Sequence, residues 1–283
     1  MEAEGRAEAA APCVVDLYLG GDLGQWVLGQ LGPARVLTVF TLDDEITEAA
    51  DRLGLDRRRD PPDPDDVANG AVAFCVHYPK IFPSALIARY RRMYNLHPGY
   101  LPWGRGFYPV FWALWEQTPA GATLHEITEG LDKGPVVKQV RVAYGPADTG
   151  ASLHRRVREA ERQIFQEVWP RIAGGELPPA RPPSTEEAGS YHAKAEFHTL
   201  REQADISVMT VPDLLRLVRS FTFPGFPGLV VRLGDRRFEL RLEERPGDVT
   251  ARGRSAAART AECGGVDLPC RSERGDPTVP QAL

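Results

Sequence analysis

Cysteine is scarce in this chain. The four present, Cys13, Cys75, Cys263 and Cys270, form neither a CxxC pair nor a four-ligand zinc spacing, which excludes a disulfide framework and a structural zinc and leaves free thiols. Long apolar runs are missing too. With 26% charged residues, nothing approaches the roughly 18 residues a membrane helix requires, so a soluble protein with no membrane partner is expected. Positive charge is not in surplus, with 34 Lys+Arg against 39 Asp+Glu and a formal net charge of −5. A broad basic surface that would grip nucleic-acid backbones is therefore not indicated, and no nucleic-acid partner is expected. The opening residues carry Glu2, Glu4, Arg6 and Glu8 with no apolar segment behind them. This is unlike a secretory signal, so a cytoplasmic location is expected. The GGDLG stretch at 20–24 lacks the third glycine of a dinucleotide fingerprint and an acidic partner on a clear second strand, and reads as a tight strand–helix turn.

What is present is a core-forming share of 42% hydrophobic residues over 283 positions. VVDLYLGG at 14–21 and VLTVFTL at 36–42 read as strands, each followed by a helical pattern. Residues 56–66, DRRRDPPDPDD, read as a loop. AVAFCVHY at 71–78 is a continuous apolar run of the kind buried on both faces of a parallel sheet. Short strands at 93–98 and 122–127 and a long amphipathic helix at 152–173, capped by Asp148 or Thr149, complete the pattern. Strands alternating with helices predict an α/β fold with an open, mostly parallel twisted sheet and flanking helices. The boundaries are a disordered lead-in at 1–12, the α/β domain at 13–175, a Pro/Gly/Ser-rich linker at 176–190, a small C-terminal α+β accessory domain at 191–243, and an aperiodic tail at 244–283. The accessory unit holds a helix at 211–221, an aromatic turn at 222–228 and a hairpin turning at Gly234-Asp235. An apolar hairpin exposed at 229–240 would make a homodimer plausible.

Chemistry concentrates in two segments. In YNLHPGYLPWGRGFYP at 94–109, Asn95 and His97 stand two apart at the end of a strand, so their side chains project to one face, and Pro98 stops the strand. Ligands in open α/β sheets bind outside the carboxyl ends of strands. An amide there can donate to a developing oxyanion, and a histidine can accept a proton near neutrality. GATLHEITEGLDKGPVV at 121–137 adds His125 and, between bends at Gly130 and Gly134, Asp132. His154, His192 and His198 fall in helical or connector contexts and read as surface residues.

The combination N-x-H-P-x-x-x-P-x-x-R-G-x-x-P followed by G-x-T-x-H-x-x-x-x-x-x-D-x-G-x-V resembles the folate-dependent formyltransferase family. It is carried by Asn95, His97, Pro98, Pro102, Arg105, Gly106 and Pro109, then by Gly121, Thr123, His125, Asp132, Gly134 and Val136. The likeness covers roughly residues 70–175. It implies a Rossmann-like catalytic domain, with Asn95, His97 and Asp132 as the catalytic triad and no metal, since formyl transfer needs no Lewis acid. His97-Pro98-Gly99-Tyr100 and VHYPKI at 76–81 look most like the branch acting on nucleotide-linked dideoxysugars. That likeness implies transfer from N10-formyltetrahydrofolate to the primary amine of a dTDP-linked 3- or 4-amino sugar.

Tyr78, Lys80, Ile81 and Asp132 would then face the folate, with Pro79 standing where the branch leads one to expect a polar residue. Tyr100, Trp103 and Arg105 would meet the nucleotide, aromatic faces and a guanidinium suiting a thymine ring and a diphosphate. Phe107 and Tyr108 read at least as well as packing under the loop, and Arg105 has the alternative reading of simply holding the loop's shape. The alternatives are weighed by size and charge. A methionyl-tRNA formyltransferase should add a basic C-terminal barrel of about a hundred residues, and a ribonucleotide formyltransferase should stop soon after the catalytic domain. A non-catalytic folate- or nucleotide-binding protein would have no use for the three polar side chains together.

Overall fold

Alternation of side chains along two adjacent strands builds the centre of the molecule. In β1 (Val14–Leu19), Val15, Leu17 and Leu19 face one side and Tyr18 the other; in β4 (Val72–Val76), Val72, Phe74 and Val76 face one side and Ala73 and Cys75 the other. Both faces are sealed, as an apolar run in a parallel sheet requires. The computed structural model describes residues 14–32, 35–183, 189–223 and 225–243; the lead-in at 1–12 and the tail at 244–283 lie outside the described residues.

Between β1 and β4 come α1 (Gly21–Leu28), β2 (Arg35–Thr41), α2 (Asp44–Arg52) and β3 (Asp56–Arg58). After β4 follow α3 (Ser84–Ile87), β5 (Arg92–His97), β6 (Arg105–Gly106), α4 (Pro109–Glu116), β7 (Ala120–Glu126), β8 (Val136–Val142) and α5 (Gly150–Ala173). The chain then forms β9 (Tyr191–His192), α6 (Lys194–Gln203), α7 (Val211–Phe221) and a hairpin of β10 (Leu229–Leu233) and β11 (Arg236–Leu240). The seven-stranded sheet runs β3-β2-β1-β4-β5-β7-β8. Strands β1 to β5 are parallel, and β7 is antiparallel to both its neighbours. The order reverses between β1 and β4, the place where an open α/β sheet leaves a crevice.

Helix α5 covers one face, burying Ile164, Phe165, Val168 and Trp169 against Phe74 and the odd-numbered side chains of β1. Its start is set by Thr149, whose side chain accepts from Ser152 N while Ser152 reaches back to the Thr149 amide. Among the described residues no helix is long and apolar enough to cross a membrane.

Two expectations need correction. Residues 56–58, expected within a loop, pair with β2 as a three-residue edge strand. Its side chains are exposed, so backbone hydrogen bonds alone hold it and no apolar alternation marks it. The segment expected as a separate domain at 191–243 does not stand apart, because the chain up to Leu242 forms one compact unit. Phe197, Leu217, Phe221, Leu229 and Val231 bury themselves on Phe111 and Trp112 of α4, so the two share a single core. The second unit, Glu243–Leu283, is outside the described residues apart from Glu243.

Phe165 is 1% exposed and meets the rings of Trp26, Phe74 and Trp169. Truncation by Phe165→Ala is expected to cost about 3–5 kcal/mol, seen in urea unfolding as a lower midpoint with an unchanged slope.

Candidate active site

Strand β5 ends in the two side chains picked out by their spacing, and antiparallel pairing brings the second motif to them. Asn95 lies opposite His125 and His97 opposite Thr123 in the β5–β7 register. His125 donates from Nδ1 to the Glu126 carbonyl (2.9 Å), leaving Nε2 to accept from the Asn95 amide at 3.2 Å. That bond consumes one of the amide's two hydrogens and fixes its plane. The His97 ring is held from the other side, its Nε2 donating to the Gly104 carbonyl at 2.8 Å. Its Nδ1 therefore faces Asp132, with Oδ2 3.8 Å away.

Asp132 enters from the turn between β7 and β8 in a left-handed conformation, φ 52°. Its Oδ2 accepts the Gly106 N–H at 2.8 Å and its Oδ1 lies 3.5 Å from His125 Nε2, while only 7% of the side chain is exposed. Burial pushes this carboxyl up, but His97, His125 and the Gly106 N–H together outweigh it and hold the group well below the usual carboxylate range. The three expected catalytic residues thus converge, with His125 as a fourth member whose role sequence spacing did not reveal.

Asn95, His97 and Asp132 form one wall of a cavity of about 720 Å³. The loop after β4 supplies Tyr78, Lys80 and Ile81, and the C-terminal segment supplies Phe223 and Phe226. Tyr78 stacks on Phe82, and burial pushes its phenol up to about 12. Lys80 pairs with Asp60 at 2.6 Å, and Ile81 is 76% exposed. Phe107 and Tyr108 also border the space. His77, Tyr108 and Asp132, three of the four described non-glycine residues with positive φ, all line it. Backbone strain is thereby concentrated at this cavity, as it is at many functional sites.

The structure puts the expected nucleotide contacts elsewhere. Tyr100 and Trp103 border a niche too tight for water, and Arg105 turns its Nε to the Ser190 carbonyl at 3.3 Å; none of the three lines the large cavity. Besides Lys80, a cation that does line it is Arg158 of α5. Its Nη1 donates to Glu161 Oε2 at 2.9 Å and contacts the His77 ring at 2.7 Å, and its Nη2 lies 3.4 Å from Asp22 Oδ1.

Glu161 is fully buried. Its position favours the neutral acid, yet His77 and Arg158 hold its carboxyl lowered overall. Beside this cluster His154, expected at the surface, lines the cavity, and burial together with Arg158 drives its ring down to about 4. His192 and His198 are likewise part-buried rather than on the surface. A signal for the cluster did exist in the sequence, since Glu161 interrupts the apolar stripe of Val157, Ala160, Ile164 and Val168.

Residues 60–169 match the family model described as formyl transferase. A curated dTDP-4-amino-4,6-dideoxyglucose formyltransferase from Mycobacterium tuberculosis is 32% identical over 150 residues, 53% of this chain. The matched part spans 62% of that relative's length. Among solved structures, a 4-N formyltransferase from Francisella tularensis shares the fold at 19% identity, covering 82% of this chain and 98% of that one with a TM-score of 0.70. The formyltransferase PseJ from Anoxybacillus kamchatkensis, in complex with UDP-4,6-dideoxy-4-formamido-L-AltNAc and tetrahydrofolate, is 25% identical over 71% of this chain and 96% of that one, with a TM-score of 0.50. Asn95, His97, His125 and Asp132 all fall within the stretch that matches the formyl transferase family model.

Proposed function

We propose that this protein transfers the formyl group of N10-formyltetrahydrofolate to the primary amine of a nucleotide-linked amino-dideoxysugar, with dTDP as the nucleotide. The observation that carries this reading is the convergence of Asn95, His97 and the ionised Asp132 on one wall of a cavity of about 720 Å³. The dTDP-sugar activity for which the curated relative is named supports the choice of acceptor.

The amine nitrogen bonds to the formyl carbon and gives up a proton, while the bond from that carbon to N10 breaks and N10 regains a proton. His97 takes the proton, and the Asp132 anion 3.8 Å away stabilises the imidazolium so formed. The Asn95 amide donates to the formyl oxygen as charge builds there, a contribution of about 3–4 kcal/mol. Tyr78, Lys80 and Ile81 flank the folate; the exposed apolar side chain of Ile81 and the stacked Tyr78–Phe82 pair suit a flat ring system. The diphosphate falls to Arg158, which lies at the reversal point of the sheet, next to the β1–α1 turn through Asp22. Arg105 is replaced in that role because its side chain does not reach the cavity.

Incubation with N10-formyltetrahydrofolate and a panel of dTDP- and UDP-linked 3-amino and 4-amino sugars, read by mass spectrometry, is expected to yield a formamide from a dTDP sugar. His97→Asn is expected to abolish turnover with the circular dichroism spectrum unchanged. Full activity in both His97→Asn and Asp132→Asn would remove the assigned roles. Arg158→Lys keeps a cation beside Glu161 but loses the planar fork. It is expected to raise KM for the sugar nucleotide about tenfold while KM for the folate stays put.

Since the folded protein holds the Asp132 carboxyl low, the stability it adds is complete above about pH 4 and drains away below it. The difference in unfolding free energy between wild type and Asp132→Asn, from urea titrations, should shrink as the pH is taken from about 5 to 3. A constant difference would mean the carboxyl is not held ionised.

A further inference from the structure

Both catalytic side chains lean on one short stretch of backbone. The Gly104 carbonyl holds His97 Nε2, and two residues on the Gly106 N–H holds Asp132 Oδ2, each at 2.8 Å. These are main-chain groups, so their positions depend on whatever fixes the strand β6 between them.

That support comes from some 85 residues downstream. On its far side the stretch is hydrogen-bonded to β9 and the residue before it. Gly104 N donates to Ser190 Oγ (2.9 Å), Arg105 N to the Ser190 carbonyl (3.0 Å) and Phe107 N to the His192 carbonyl (3.0 Å), while Ser190 N returns a bond to the Pro102 carbonyl (3.2 Å). Two glycines permit the approach. A Cβ on Gly106 would stand 2.3 Å from the His192 carbonyl oxygen, and one on Gly189, at φ 65°, would stand 2.3 Å from that of Pro102.

His192 is itself pinned. Its ring stacks on Trp112 at 3.6 Å and 10°, its Nδ1 contacts Glu196 of α6 at 2.9 Å, and its Nε2 lies 2.8 Å from Glu116 of α4, out of line for a hydrogen bond but close as an ion pair. The clamp thus runs from the C-terminal segment through β6 to the two catalytic groups.

We infer that Ser190 and His192 are positioning residues for His97 and Asp132, setting the strand whose Gly104 carbonyl and Gly106 N–H orient the two side chains. The inference rests on the proposed formyl transfer for its kinetic readout but not for its geometry. Neither residue borders the cavity, so loosening them should leave binding intact and disturb alignment, which is costly at sub-ångström scale.

The test uses Ser190→Ala, which removes one acceptor from Gly104 N, Ser190→Thr, which restores a hydroxyl, and His192→Gln. The charged and titratable groups facing Asp132 are His97 and His125, and those facing His192 are Glu116 and Glu196. In Ser190→Ala and His192→Gln, kcat is expected to fall about tenfold with both KM values within about twofold of wild type. The acid limb of kcat should move to higher pH as Asp132 loses its Gly106 donor, and Ser190→Thr should recover both. The side-chain 15N resonances of His97, followed through a pH titration without substrate, should shift in the same two variants. A fall in melting temperature with kcat, pH profile and His97 resonances all at wild-type values would overturn the inference and leave a purely structural contact. Wild-type protein that formylates no amino sugar would sink the functional reading alone, and the NMR titration would still decide this one.

Discussion

A carboxylate buried beneath three segments of backbone is the constraint around which this molecule is arranged. Removing an ionised group from water costs several kcal/mol unless opposite charges and donors meet it. Asp132 is met by an imidazole from β5, an imidazole from β7 and a main-chain N–H from β6. Each of these partners arrives on a different element, so the charge can be satisfied only when the sheet, the loop after β5 and the turn before β8 are all in place. The geometry that makes the anion tolerable is also the geometry that sets it beside the His97 ring.

The cavity has a second electrostatic centre that solves the same problem differently. Glu161 is as deeply buried as any core side chain, and it is balanced by Arg158 and His77. Here the partners stay within reach of the cavity, and Asp22 at the start of α1 completes the set. Position follows from strand order: His77 follows β4 directly and Asp22 lies three residues beyond β1, so the cluster occupies the crevice where the sheet reverses. Asn95 and His97 on β5, with His125 on β7, sit further along the sheet.

Much of the fold was legible because it rests on period and local chemistry. The apolar alternation of β1 and β4, the Thr149 cap of α5 and the Gly234-Asp235 turn are each written within a few residues and each form as expected. What escaped was held by interactions with no local mark. Strand β3 is kept by backbone pairing on an edge. The 191–242 segment looked separate because a Pro/Gly-rich stretch precedes it, yet Phe197 and Phe221 have their partners on α4, about a hundred residues earlier. Spacing left Arg105 open between a nucleotide contact and a brace for the loop, and only the fold shows its Nε turned to the Ser190 carbonyl.

The sequence by itself determined which residue types were available for chemistry and that Asn95 and His97 would share a face, since a strand's side-chain period of two leaves no alternative. Tertiary structure alone decided that His125 would orient the amide, that Asp132 would be charged and enclosed, and that Arg158 rather than Arg105 would border the cavity. The reason is physical. Burial, hydrogen-bond direction and charge balance depend on which distant segments are brought together, and a linear spacing carries no information about the third dimension in which those segments meet.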